Sequence, residues 1–295
     1  MDAGHAWVLN LDADLELGAR GSPYAPSRRV LAAMLAWRGQ LARGLLAAGD
    51  VLVDETSPPG SAAGRAGRAF CMTPRARAML ERAGAVVEPH PGVAVLTRVN
   101  GREFCASLGE TLPGAAFVSD EAAARALLTR RPPRGFRAWR VKRAFGMAGR
   151  GQRVIDPSPE LSPHDWRFVQ ASLKSAGVVI EPHADVVTEY AQHGKIAPSG
   201  AARFGAIVVQ RCDAHGAWLS TARLSGAELR ALPFAAQLQA EAERVAAALH
   251  AEGYFGPFGV DAYSYRSGTG ELGFNPRSEI NARYSMGFAC GFGGA

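Results

Sequence analysis

The sequence predicts a mixed fold: an α/β layer with a mostly parallel sheet over roughly the first 100 residues, followed by α+β structure built on hairpins. Three observations carry this expectation. Strand-like and helical stretches alternate through the first third, a glycine-rich hairpin signal occupies residues 141–155, and a second hairpin signal runs from Phe258 to Arg283. Composition sets the bounds. With 47% hydrophobic and 20% charged residues, and 34 Gly and 18 Pro in 295, the chain is of ordinary globular make-up, which excludes wholesale disorder.

The elements follow in order. Leu9 to Leu17 reads L-N-L-D-A-D-L-E-L, a period-two alternation expected to form a strand with one acidic face. A helix from Ser27 to about Ala48 has Val30, Met34, Leu41 and Leu45 near helical spacing, Ser27 as its cap and Gly49 as its terminator. Val51 to Val53 returns as a strand, Thr56 to Gly67 reads as a loop, Thr73 caps a helix reaching Gly84, and Ala85 to Val87 is a further strand. Such a layer either is a packing scaffold or presents its strand ends as one wall of a substrate site.

Beyond Gly101, a helix is expected over Glu121 to Leu128 and a strand over Trp139 to Arg143. Ser162 and Asp165 make a capping-box-like start for a helix ending at Gly177, and Val178 to His183 reads as a buried strand. Strands near Val186 to Ala191 and Gly205 to Cys212 precede a helix from Phe234 to Glu252, whose stripe is Leu238, Ala242, Val245 and Leu249.

In the first hairpin the glycine order is G-x-x-G-x-G (Gly146, Gly149, Gly151), and a strand-like Gln152 to Ile155 follows. A dinucleotide fingerprint needs a different order and a following helix, and a P-loop places its lysine after the glycines, whereas Lys142 precedes them. Two alternatives stay open: a plain surface hairpin, or a glycine tip whose unhindered N–H groups fold over phosphates with Lys142 as a point charge. Of the 33 basic residues only Lys142, Lys174 and Lys195 are lysines, which makes a lysine at this place notable.

Near the C-terminus, Glu279, Asn281 and Arg283 alternate with Ile280 and Ala282 and so share one strand face. A carboxylate beside a carboxamide is a hard-oxygen set suited to Mg²⁺, with Asp261 on the preceding strand as the natural third ligand. A turn centred near Gly268 would face position 261 with about 275, so bringing Glu279 opposite Asp261 needs a bulge near Asn275 and Pro276, unless Asn275 is itself the ligand.

This succession of short motifs resembles the ATP-grasp superfamily over residues 100–287, and the first 100 residues look like the Rossmann-like pre-ATP-grasp α/β domain. The resemblance implies residues 1–100 as that domain, 101–180 as a subdomain with a glycine flap, and 181–295 as a second subdomain, the two clasping ATP. Lys142 matches the family lysine, and Gly146, Gly149 and Gly151 the flap. Val179 to Ala184 matches the hinge where Glu181, His183 and Ala184 meet adenine, and Glu189 stands where a ribose-binding acid is common. Asp261, Glu279 and Asn281 match the metal-holding residues, and Arg283 the arginine near the reacting phosphoryl group. Many members carry a second phosphate-binding lysine where this chain has Arg102.

By this resemblance the chain is an acid–amine ligase using ATP and Mg²⁺, with Mn²⁺ as a permitted substitute. Lys142 and Arg283 would be its catalytic residues, and a small-molecule carboxylate and an amine its substrates; a nucleotide-binding protein without ligase activity is the alternative. His183 and His193 flank the hinge, and Arg203 and Arg211 are candidates for an acidic substrate. The excess of 33 basic over 27 acidic residues has no aromatic-interleaved cluster, so no nucleic-acid partner is expected. Cys71, Cys105, Cys212 and Cys290 show no ligand spacing, and no leader or apolar stretch of about 18 residues is evident. A cytoplasmic protein without a membrane partner is expected, and a homodimer is compatible.

Overall fold

The computed structural model describes residues 4–147, 149–213 and 216–293. Its first sheet is parallel throughout: β1 (His5–Val8) lies between β2 (Val51–Leu52) and β3 (Ala66–Ala69), and β4 (Val86–Val87) pairs with β3. Five helices accompany it: α1 (Ala13–Gly18), α2 (Arg28–Leu45), α3 (Pro74–Arg82), α4 (Val93–Asn100) and α5 (Arg102–Ser107). Val8, Ala69, Met79 and Leu80 pack beneath the strands. Ser27 and Thr73 cap α2 and α3 as expected, each hydroxyl accepting from the backbone N–H three residues on.

Three expectations fail here. The acidic alternation at Leu9 to Leu17 is not a strand: the strand ends at Val8, and α1 begins at Ala13. Its acids instead meet arginines distant in sequence, Asp12 and Glu16 pairing with Arg75 and Asp14 with Arg283, so the alternation records ion pairing rather than a pleat. Helix α2 ends at Leu45, before Gly49, because the Asp50 carboxylate accepts from Ala47 N and from His5 N and so turns the chain back to β1. Strand β3 lies partly in the stretch expected to be loop. Its A-G-R-A sequence has no apolar signal, and Gly67 lets Leu80 and Ala85 close upon it, an added Cβ coming within 3.3 Å of both.

The second sheet is antiparallel, in the order β5 (Ala116–Val118), β8 (Val178–Pro182), β6 (Trp139–Arg143), β7 (Gln152–Ile155). Helices α6 (Glu121–Leu128) and α7 (Pro163–Ser175) cover it, burying Leu128, Trp139, Val141, Val169 and Ile180 together. The third sheet runs β11 (Trp218–Arg223), β10 (Ala202–Cys212), β9 (Asp185–Ile196), β12 (Gly256–Arg266), β13 (Leu272–Asn281), again antiparallel. Helix α8 (Gly226–Ala231) leads into α9 (Ala235–Ala251), whose Leu238, Ala242, Val245 and Leu249 are buried as the spacing predicts, and α10 (Phe288–Phe292) follows the last strand.

The irregularity anticipated in the last hairpin is present. Tyr263 pairs with Asn275 but Asp261 pairs with Glu279, so β13 carries two extra residues between those pairs. Arg277, 3% exposed, anchors this bulge: its Nε donates to Glu241 Oε1 at 2.6 Å and its Nη2 to Gly109 O at 2.7 Å. Asn275 is consumed in the same anchor, its Oδ1 accepting from Arg277 N at 3.0 Å.

Candidate active site

The three sheets meet around one cleft, with a cavity volume of about 250 Å³. Strand β6 supplies one wall. Its alternation sends Trp139 and Val141 into the core and Arg140 and Lys142 to the cleft face. Lys142 Nζ lies 2.7 Å from Glu181 Oε1 on β8, an ion pair in which both side chains are nearly buried. Arg140 Nη1 donates to Gln152 Oε1 at 3.0 Å, and its Nη2 lies 3.1 Å from His183 Nδ1.

The loop from β6 to β7 closes over this wall. Gly149 (φ +70°) and Gly151 (φ +80°) hold the left-handed conformations that let it fold back. At Gly146 the constraint is space: a Cβ would lie 2.8 Å from Arg150 O and 3.1 Å from Arg102 Nη1. Gly146 and Gly149 line the cleft. Gly151 does not; its carbonyl accepts from Arg143 N at 2.9 Å, closing the hairpin.

The opposite wall is the last hairpin. Asp261 on β12 accepts from Gln210 Nε2 at 2.9 Å and from Asn281 Nδ2 at 2.8 Å, with Glu279 facing it across the register. Burial first, and the Glu279 carboxylate second, push the Asp261 carboxyl up from 3.8 to about 7. Arg102, the first residue of α5, spans both walls, its Nη1 donating to Arg143 O at 2.7 Å and its Nη2 to Glu279 Oε1 at 2.6 Å. Two facing carboxylates, with an amide whose nitrogen is turned to Asp261, form a hard-donor set that fits a divalent cation. Among the described residues no group of three His, Cys, Asp or Glu is placed to hold a metal, so such a seat would consist of Asp261, Glu279 and Asn281.

At the third side, Arg283 pairs with Asp14 of α1, Nε to Oδ1 at 3.1 Å and Nη2 to Oδ2 at 2.6 Å, above the Phe70 ring at 5.1 Å. The Asp14 charge more than offsets burial and holds the guanidinium above its ordinary pKa. Leu11 and Phe70 follow the C-terminal ends of β1 and β3, where parallel sheets present ligand-binding loops.

The structure thus brings Arg102, Lys142, Glu181, Ala184 and Glu189 to the same cleft as Asp261, Glu279, Asn281 and Arg283. His183 stays off its lining, held against Arg140, and burial and that neighbour lower its pKa. His193 is wholly buried beneath Phe288, where burial lowers its pKa to about 4. Arg203 faces a separate cavity and stacks on Phe292, and Arg211 is exposed. Sequence reasoning missed Arg140 and Gln210, although both keep period two with residues it had singled out, Lys142 and Cys212. It also missed Asp14, Trp37 and Phe70, whose part in the cleft depends on long-range packing.

No protein-family model matches the chain, and comparison with curated proteins gives no match. Solved structures are similar in fold. N5-carboxyaminoimidazole synthetase from Staphylococcus aureus complexed with ADP aligns over 95% of this chain and 70% of its own at 12% identity, TM-score 0.52. A biotin carboxylase ATP-analogue complex from Campylobacter jejuni aligns over 96% and 66% at 12% identity, TM-score 0.56. D-alanyl-alanine synthetase A from Vibrio cholerae aligns over 99% and 92% at 11% identity, TM-score 0.54. Among the described residues no helix is long and apolar enough to cross a membrane.

Proposed function

We propose that this chain, which has the ATP-grasp fold with a Rossmann-like parallel sheet at its N-terminal end, is an ATP-dependent ligase that activates a small carboxylic acid and joins it to an amine. One observation carries the reading. Lys142 and Glu279 face one cleft from opposite walls, and Arg102 bridges the two strands that hold them. The ADP and ATP-analogue complexes among the structural neighbours support nucleotide as the occupant.

In this reading the adenine lies against Glu181 and Ala184, and Glu189 accepts from the ribose hydroxyls. Lys142, Arg102 and the N–H groups of Gly146 and Gly149 neutralise the phosphates, and Asp261, Glu279 and Asn281 hold Mg²⁺ or Mn²⁺, which supplies charge neutralisation at the phosphoryl oxygens. A carboxylate oxygen of the acid attacks the γ-phosphorus, the bond from that phosphorus to the β,γ-bridging oxygen breaks, and ADP leaves. The amine nitrogen then attacks the acyl carbon, the acyl carbon–oxygen bond breaks, and inorganic phosphate leaves as the amine loses a proton. Arg283 faces the charge that develops on the transferred group, and positioning accounts for most of the rate. No covalent enzyme intermediate is needed.

Arg102 favours a second reading. It stands on the Glu279 carboxylate at 2.6 Å, where a bound cation would compete with it, as in a nucleotide-binding protein that does not turn over. Calorimetry with ATP and Mg²⁺, followed by phosphate release across acid and amine pairs, separates the two. Acid-dependent phosphate release lost in Lys142→Ala and Glu279→Gln supports the ligase; binding without release on any pair supports the second reading; absence of nucleotide binding overturns both.

A further inference from the structure

The end of the cleft beyond Glu279 is built differently from the rest. Leu11, Phe70, Trp37 and Met286 line it, and all four belong to one apolar cluster that also includes Tyr284, next to Arg283 in sequence. Trp218 lines the cleft beside them. Its Nε1 donates to Thr221 Oγ1 at 2.7 Å, and that oxygen sits 3.0 Å from where a Cβ on Gly287 would be. Three aromatic side chains, a leucine and a methionine thus line the cleft that Arg283 also lines, with Phe70 beneath its guanidinium at 5.1 Å.

That guanidinium is held but not exhausted. Two of its N–H groups go to Asp14 and one to Tyr284 O, so two of the five remain for a ligand at the cleft edge. Asp14 is the acid that pairs with Arg283, while the other cations lining the cleft, Arg102, Arg140, Lys142 and Arg150, come from α5 and from the β6–β7 hairpin. A ligand with one carboxylate finds Arg283, whereas a second carboxylate or a phosphate directed at the apolar cluster would meet Asp14 and aromatic faces.

We propose that the acid activated in this cleft is a monocarboxylic acid with an apolar or aromatic body, its carboxylate on Arg283 and its body against Trp37, Phe70, Trp218 and Met286. The proposal rests on the ligase reading for the reaction but not for the binding. Leu11, Phe70 and Asp14 come from the parallel-sheet end of the chain, so this end sets specificity while the hairpins handle the nucleotide.

The test measures binding and turnover on the same full-length protein. With a non-hydrolysable ATP analogue and Mg²⁺ present, calorimetric titration compares phenylacetate and phenylalanine with acetate, succinate and aspartate. Phosphate release from ATP is then followed with the same acids, each paired with a panel of amines. Phenylacetate or phenylalanine should bind at least tenfold more tightly than the polar or smaller acids. Trp37→Ala and, independently, Met286→Ala should each weaken that binding by about tenfold while leaving ATP affinity unchanged, which also verifies folding. Tighter binding of succinate, aspartate or acetate, no binding of any acid, or insensitivity to both substitutions overturns the proposal. Selective apolar-acid binding without acid-dependent phosphate release sustains it and overturns the ligase reading instead.

Discussion

Asp261 couples the stability of the protein to pH. Its carboxyl is pushed from 3.8 to about 7 by burial and by Glu279, so the folded state favours the protonated form. Its contribution is therefore fully present below pH 4 and is lost as pH rises through 7. At about 1.4 kcal/mol per pH unit, the interval between those values sets a ceiling of about 4 kcal/mol. Asp261 forms part of the open cleft wall, and solvent screening there brings the expected loss to about 2 kcal/mol. Urea unfolding at intervals between pH 5 and pH 8.5 measures it, with Asp261→Asn as reference to cancel every other titrating group. The wild-type stability should fall relative to the variant by about 2 kcal/mol across that range, and Mg²⁺ should restore part of it at pH 8. Parallel profiles for the two proteins would refute the coupling.

Three further outcomes follow from the geometry. Asp14→Asn leaves the nearly buried Arg283 guanidinium without its counter-charge, and the urea midpoint should drop by an amount equivalent to about 3 kcal/mol. In Gly146→Ala the new Cβ meets Arg150 O and Arg102 Nη1, so calorimetric ATP affinity should fall by about tenfold and the urea midpoint by an amount equivalent to roughly 1 kcal/mol. Glu279→Gln removes the second cause of the Asp261 shift, so the pH at which wild-type stability declines should move below 7 in the same urea series.

Much of the site was legible because strand alternation is a short-range code. Glu279, Asn281 and Arg283 share a face for the reason that Arg140 and Lys142 do, and the need for an irregularity before Glu279 could be deduced from the turn position, though not its size of two residues. Caps announced α3 and α7, and an apolar stripe ending at Gly253 announced α9. What stayed hidden was set by distant partners. The acids at Asp12, Asp14 and Glu16 mimic a strand pattern until Arg75 and Arg283 are brought to them, and β3 holds its place by the smallness of Gly67 rather than by any apolar run. The aromatic end of the cleft is assembled from Leu11, Trp37, Phe70, Trp218 and Met286, whose convergence no local window contains.

Diffraction from crystals grown with an ATP analogue and Mn²⁺ tests the central claim most directly. The anomalous manganese peak should lie among Asp261, Glu279 and Asn281, with the triphosphate running from it to Lys142 Nζ beneath the glycine loop. Manganese or nucleotide bound elsewhere, with Arg102 still seated on Glu279 and the cleft empty, would contradict the assignment.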